Sequence, residues 1–130
     1  MDSESRAAAG LLAAMSRAAA AFDELRHPFL RRESLTWFQP GGWTTGVLFS
    51  LPDGRAVRFS VSFAHSETFF QVSGEAMVEE RALVELPTVR AESIHEALSL
   101  LDEQVGEVVS PARWLLEQLM EEIAEEVTET

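Results

Sequence analysis

Trp43-Thr44-Thr45-Gly46-Val47-Leu48-Phe49-Ser50-Leu51, Pro52-Asp53-Gly54 and Arg55-Ala56-Val57-Arg58-Phe59-Ser60-Val61-Ser62-Phe63-Ala64 form the stretch that decides the fold. Two runs of alternating apolar residues flank a Pro-Asp-Gly turn, the pattern of an antiparallel hairpin. Val47, Phe49 and Leu51 then share one face with Val57, Phe59, Val61 and Phe63, and that face must be buried. The other face carries Thr44, Gly46, Leu48 and Ser50 beside Ala56, Arg58, Ser60, Ser62 and Ala64. It is small and nearly neutral with a single charge, whereas a solvated sheet face usually carries more. The expectation is a covered surface, used for docking or dimerisation.

Before the hairpin, Leu35-Thr36-Trp37-Phe38 reads as a strand closed by the Gln39-Pro40-Gly41-Gly42 turn. Counting parity from the hairpin puts Phe38 on the small-residue face and Trp37 toward the core. After the hairpin, Thr68 to Ser73 and Met77 to Leu86 read as further strands separated by Gly74. Phe69 and Phe70 are adjacent, so one of them faces outward, and Phe70 is assigned to the small-residue face.

Helical spacing frames these strands. Leu11, Met15, Ala18, Phe22 and Leu25 make an apolar stripe, predicting a helix over Ser3 to Arg26, capped by Asp2 or Ser3 and stopped at Pro28. Ser93 and Glu96 form a capping box ahead of Ile94, Leu98, Leu101, Val105 and Val108. Ser110-Pro111 reads as an N-cap followed by Pro at the first helical position, opening a last helix with Leu116, Met120, Ile123 and Val127 on one side. Trp114 is expected to be buried against the sheet. The predicted architecture is one α+β domain over residues 1–130: an antiparallel sheet of four or five strands, with an N-terminal helix and two C-terminal helices packed on one face.

Composition narrows the chemistry. The 130 residues contain no Cys, Lys, Tyr or Asn, which removes disulfides, thiolate metal sites, Cys nucleophiles and Lys Schiff bases. Residues 1–60 hold seven Arg and six acids, whereas residues 61–130 hold three Arg and sixteen acids, so the net charge of −12 belongs to the second half. A surface of that sign repels phosphate backbones and anionic lipid, so neither nucleic-acid nor membrane binding is expected. No segment has the roughly 18 to 20 apolar residues that span a bilayer. Ala7 to Ala21 resembles a signal-peptide core, but Asp2 and Glu4 precede it and Ser16 and Arg17 interrupt it. The expectation is a retained helix and a cytoplasmic protein.

Candidate chemistry is sparse. Glu24/His27 and Glu92/His95 have the i, i+3 spacing of bundled dimetal sites, but a sheet intervenes where such sites need two further helices, so no metal is expected. His65, in Ala64-His65-Ser66-Glu67 at the end of a strand, is a candidate general base oriented by Glu67. Arg58 has the planar fork to clamp a carboxylate or peptide carbonyl, or to pair with an acid across the sheet. Trp37 and Trp43 bracket the Gly41-Gly42 turn, as an aromatic lip or as core residues. No phosphate-binding glycine motif occurs, and no cofactor is expected.

The leading helix (Leu11, Met15, Phe22, Leu25), the strand meander from Leu35 to Ser73, and Arg81-Ala82-Leu83-Val84-Glu85-Leu86-Pro87 leading into Ser93-Ile94-His95-Glu96-Ala97-Leu98 give an order that resembles the type III secretion chaperone-like superfamily of small acidic α+β dimers. The resemblance implies a homodimer that holds an extended or partly unfolded client through sheet edges and apolar grooves. The family places a short helix between its third and fourth strands, and Gly74 to Glu80 is the stretch available for it here.

The leading expectation is a dimeric, chaperone-like protein- or peptide-binding module. Phe38, Trp43, Leu48, Arg58, Ser60, Ser62 and Phe70 are its candidate contact residues. Two alternatives stand beside it. One is a cofactor-independent enzyme tailoring a natural-product precursor peptide with His65, Glu67 and Arg58. The other is an immunity-type inhibitor matching the Glu-rich last helix to a basic toxin.

Overall fold

The computed structural model describes residues 2–129. Asp2 caps the first helix, α1 (Ser3–Asp23), by accepting the Ser5 N–H at 2.8 Å, and that bond holds its carboxyl below the usual carboxylate range. Six antiparallel strands follow: β1 (Arg31–Gln39), β2 (Gly42–Ser50), β3 (Ala56–His65), β4 (Phe70–Val78), β5 (Arg81–Glu85) and β6 (Val89–Ala91). Their order is β1-β2-β3-β4-β5, and β6 pairs with the other half of β4. Two C-terminal helices, α2 (Ile94–Val109) and α3 (Ala112–Glu129), complete the α+β fold.

Turn lengths decide which residues share a face. Between β1 and β2 only Pro40 and Gly41 are unpaired, Gly41 taking φ +77 after the proline as a type II turn requires. An even-numbered loop pairs odd residues with even ones, so parity flips across it. Phe38 therefore lies opposite Trp43 on the helix side, and Trp37 lies opposite Thr44 on the small-residue face. The four-residue loop after β3 flips parity again, pairing Phe70 with His65 on the helix side and leaving Phe69 to face the other way. The sequence expectation for Phe38, Trp37 and Phe70 is corrected on this ground. The five-residue loop between β2 and β3 preserves parity, and the hairpin faces stand as expected.

Gly74 does not divide two strands but sits within β4, and the chain turns instead at Glu79 and Glu80. Residues 74–78 are thus strand and not helix. The missing side chain at Gly74 makes room for α2: a Cβ there would come within 2.9 Å of Val108 and 3.2 Å of the Gln104 amide oxygen. Glu79 carries the positive φ of that turn, and its carboxylate accepts the Ala56 N–H at 2.9 Å.

The helix side of the sheet forms the core. Val47, Phe49, Val57, Phe59 and Val61 are fully buried, with Phe49 and Phe59 edge to face. Ala14, Ala18 and Phe22 bring α1 down onto this layer, small residues allowing α1 and α2 to approach closely. Ser93 caps α2 through the Glu96 N–H, while the Glu96 side chain reaches the N–H of Glu92 instead of closing the box on Ser93. Ser110 has helical φ and ψ and ends α2 instead of capping α3, so the two helices are pieces of one rod bent at Pro111. Ala112, Leu116 and Leu119 continue the core, which turns Trp114 outward, 62% exposed and not buried on the sheet.

Candidate functional site

Two surfaces stand out among the described residues. The first is the small-residue sheet face, whose register gives continuous rows across the strands. One row runs Trp37, Thr44, Ser62, Ser73, and the next runs Leu35, Gly46, Ser60, Glu75, Glu85. Thr44 and Ser62 share a hydroxyl hydrogen bond at 2.8 Å. A Cβ on Gly46 would fall 2.0 Å from the Phe59 carbonyl oxygen, so the strands cross here at very close range. Ser60 is only 2% exposed and Thr44 5%, although α1 and α2 lie on the other side of the sheet.

Where β5 ends and β6 begins, the sheet is interrupted opposite Ser73 and Gly74. A notch of about 180 Å³ opens there, lined by Ser60, Ser62, Ser73, Glu75, Glu85 and Thr88. Arg58 pairs with Glu75 beside it. Further along, the Arg90 guanidinium lies 3.7 Å over the Phe69 ring.

The second surface is a groove between α1 and β1. Its two connected hollows, about 190 and 220 Å³, share Ala19, Thr36 and Thr45. Leu12, Met15, Ser16 and Ala20 line the helix wall, and Ser34 lines the strand wall. Thr36 and Thr45 bond to each other across the floor at 3.0 Å. Arg32 closes one end, donating to the Phe22 carbonyl and to Asp23, which ties β1 to the last turn of α1. Leu12 and Phe38, 71% exposed on the helix side, are left at the surface.

The groove runs beside a sheet edge. β1 keeps an unbroken register with β2 over nine residues, with no bulge, and residues 34–39 contain no charge and no proline. The opposite edge differs: β5 and β6 are short, a register shift interrupts β4 and β5 between Ala76 and Met77, and Pro87 separates the two. Natural sheets blunt their edges with charges, prolines, bulges and short strands. One edge of this sheet carries those devices, and residues 34–39 of the other do not.

The expected contact residues are therefore divided. Leu48, Arg58, Ser60 and Ser62 share the small-residue face, where Trp37 and Phe69 take the places assigned to Phe38 and Phe70. Trp43 is a core residue, stacked on Phe63 with centroids 5.8 Å apart and 3% exposed, and forms no lip. Phe70 packs against Phe63 and under the His65 ring at 4.6 Å. The proposed trio of His65, Glu67 and Arg58 is not assembled: Arg58 lies seven residues from His65 along β3, on the other face, about 23 Å away at the usual strand rise.

Among the described residues no three His, Asp or Glu side chains converge as a metal site requires. His27 instead joins α3. Its Nδ1 accepts the Phe29 N–H, which leaves the proton on Nε2 to donate to Glu117 at 2.8 Å. Among the described residues no helix is long and apolar enough to cross a membrane. No protein-family model, curated protein or solved structure matches the chain.

Proposed function

We propose that this protein is a chaperone-like peptide-binding module that takes an extended client segment as an added strand along β1. The observation that carries this reading is the unguarded stretch at residues 34–39, set directly beside the groove under α1. A two-residue turn closes on a doubly hydrogen-bonded pair, here Gln39 and Gly42. Alternation from that pair directs the backbone N–H and C=O of Ser34, Thr36 and Phe38 away from β2. An added strand satisfies these groups, and its alternate side chains lie in the groove.

The groove also defines the client. Its walls are mostly alanine, leucine, methionine and hydroxyl groups, and the one charged end, Asp23, is already paired with Arg32, so the segment is uncharged, with apolar side chains of modest size at every second position. The acidic excess lies elsewhere, in residues 61–130, where it keeps a protein with an open edge dispersed. A second copy can also pair through β1, and such a homodimer competes with the client for the same groups.

The test uses the full chain and a fluorescent ten-residue peptide of alternating Val and Ser. The peptide is expected to bind, to slow hydrogen exchange at Ser34, Thr36 and Phe38, and to lose affinity when Thr36→Lys or Phe38→Lys places a charge on the groove side of β1. Binding that leaves β1 exchange unchanged in the parent, or that both variants retain in full, overturns the reading. So does a stable dimer whose β1 amides stay protected on dilution and exclude the peptide, because the edge is then filled by the protein itself.

A further inference from the structure

The notch between the end of β5 and the start of β6 lies on the opposite face from the β1 groove, and its chemistry is different. Glu75 and Glu85 stand directly opposite each other across β4 and β5. Like charges in that relation repel, and the cost persists unless a cation lies between them. Arg58 supplies part of the answer through one oxygen of Glu75, leaving the second oxygen and the whole Glu85 carboxylate uncommitted. Ser60 faces the same space from the floor of the sheet. It is 2% exposed and lines the notch, and among the described residues its hydroxyl bonds to no other side chain or carbonyl but opens on the notch. A hydroxyl without a protein partner that opens on a cavity bonds to what the cavity holds.

We infer that this notch binds an alkylammonium head, with Glu85 and the second oxygen of Glu75 as charged acceptors and Ser60, with Ser73 and Thr88, as neutral ones. Scattered single acceptors suit the compact ammonium better than a guanidinium, whose planar fork seeks one carboxylate with both oxygens available. About 180 Å³ accommodates the head and the first methylenes of its stem. The chain has no lysine, so a second copy has no lysine ammonium to place there. The head comes from a free amine or from a lysine of another protein.

The experiment titrates the isotopically labelled full chain with cadaverine, and separately with a decapeptide carrying one lysine, at constant ionic strength. The decapeptide with acetyl-lysine is the control. Amide shifts at Ser60, Ser73, Glu75 and Glu85 that saturate are expected, and Glu85→Gln is expected to weaken binding about tenfold, the loss of one charged hydrogen bond. Ser60→Ala weakens it by a smaller factor without lowering the melting temperature, because its hydroxyl holds nothing in the protein. Saturation by cadaverine marks a free amine as the source, and saturation by the lysine peptide alone marks a protein. Shifts that fail to saturate, that spread over the glutamates of α3, or that Glu85→Gln leaves unchanged show only a diffuse ion atmosphere and overturn the inference.

Discussion

Replacing Gly46 with alanine tests whether the close crossing of β2 and β3 is a real constraint on this fold. The new Cβ would lie 2.0 Å from the Phe59 carbonyl oxygen and 2.8 Å from the Ser60 Cα. Both are backbone-borne and cannot swing aside as a side-chain tip can. Restoring ordinary contact moves the strands apart by more than about 1 Å, which breaks the flanking ladder bonds at about 1 kcal/mol each and loosens the packing beneath them. The expected destabilisation is about 3 to 4 kcal/mol. For a chain of this length that lowers the melting temperature by roughly 10 to 15 °C, at the usual unfolding entropy per residue. Gly106→Ala is the matched control. Gly106 is exposed in α2, and nothing lies within 4 Å of its added Cβ, so helix propensity alone acts and the variant gains about 0.5 to 1 kcal/mol. Thermal unfolding followed by circular dichroism reads both. A Gly46→Ala protein melting within about 3 °C of the parent would refute the steric account, at the scale of about 3 to 5 °C per kcal/mol.

Other expectations rest on single residues. Ser93→Ala removes the acceptor for the Glu96 N–H and lowers stability by about 1 kcal/mol in urea unfolding. Trp43→Phe keeps the stack on Phe63 and deletes a buried indole N–H that has no partner, so it costs less than about 1.5 kcal/mol, whereas Trp43→Ala costs about 3 to 5 kcal/mol in the same assay. The Asp2 cap is strongest while the carboxylate is ionised. Its folded pKa lies below the unfolded one, so its contribution is complete above about pH 4 and is lost as the pH falls through the folded value. Protection of the first-turn amides of α1, measured relative to their intrinsic exchange rate, therefore falls on acidification in the parent and not in Asp2→Asn, which keeps an uncharged acceptor.

Local signals carried much of the fold. The alternation around Pro52-Asp53-Gly54, the stripe of α1 and the Ser93 cap each depend on residues close together in the chain, and each is present in the structure. Facing is not local where the count of residues in a loop matters more than their type. Nothing in Trp37-Phe38 or Phe69-Phe70 distinguishes the outward ring from the inward one; the two-residue and four-residue turns beside them do. Gly74 reads as a strand breaker because glycine usually punctuates, but in the fold it is the place where Val108 and Gln104 of α2 come down on the sheet. Ser110-Pro111 reads as a cap in isolation, and the helix before it runs through Ser110 in helical geometry instead.

The same division holds for function. Composition alone removed thiol and lysine chemistry and located the acidic excess in residues 61–130, because those are properties of a list of residues. The small-residue face could also be read from period two, since alternation is local. Only the tertiary structure put Glu75 opposite Glu85, left the hydroxyl of Ser60 facing a notch, and laid α1 beside an edge strand whose residues 34–39 lack the usual guards. Those are relations between segments distant in sequence, fixed by strand register and helix packing, and no pattern along the chain encodes them by itself.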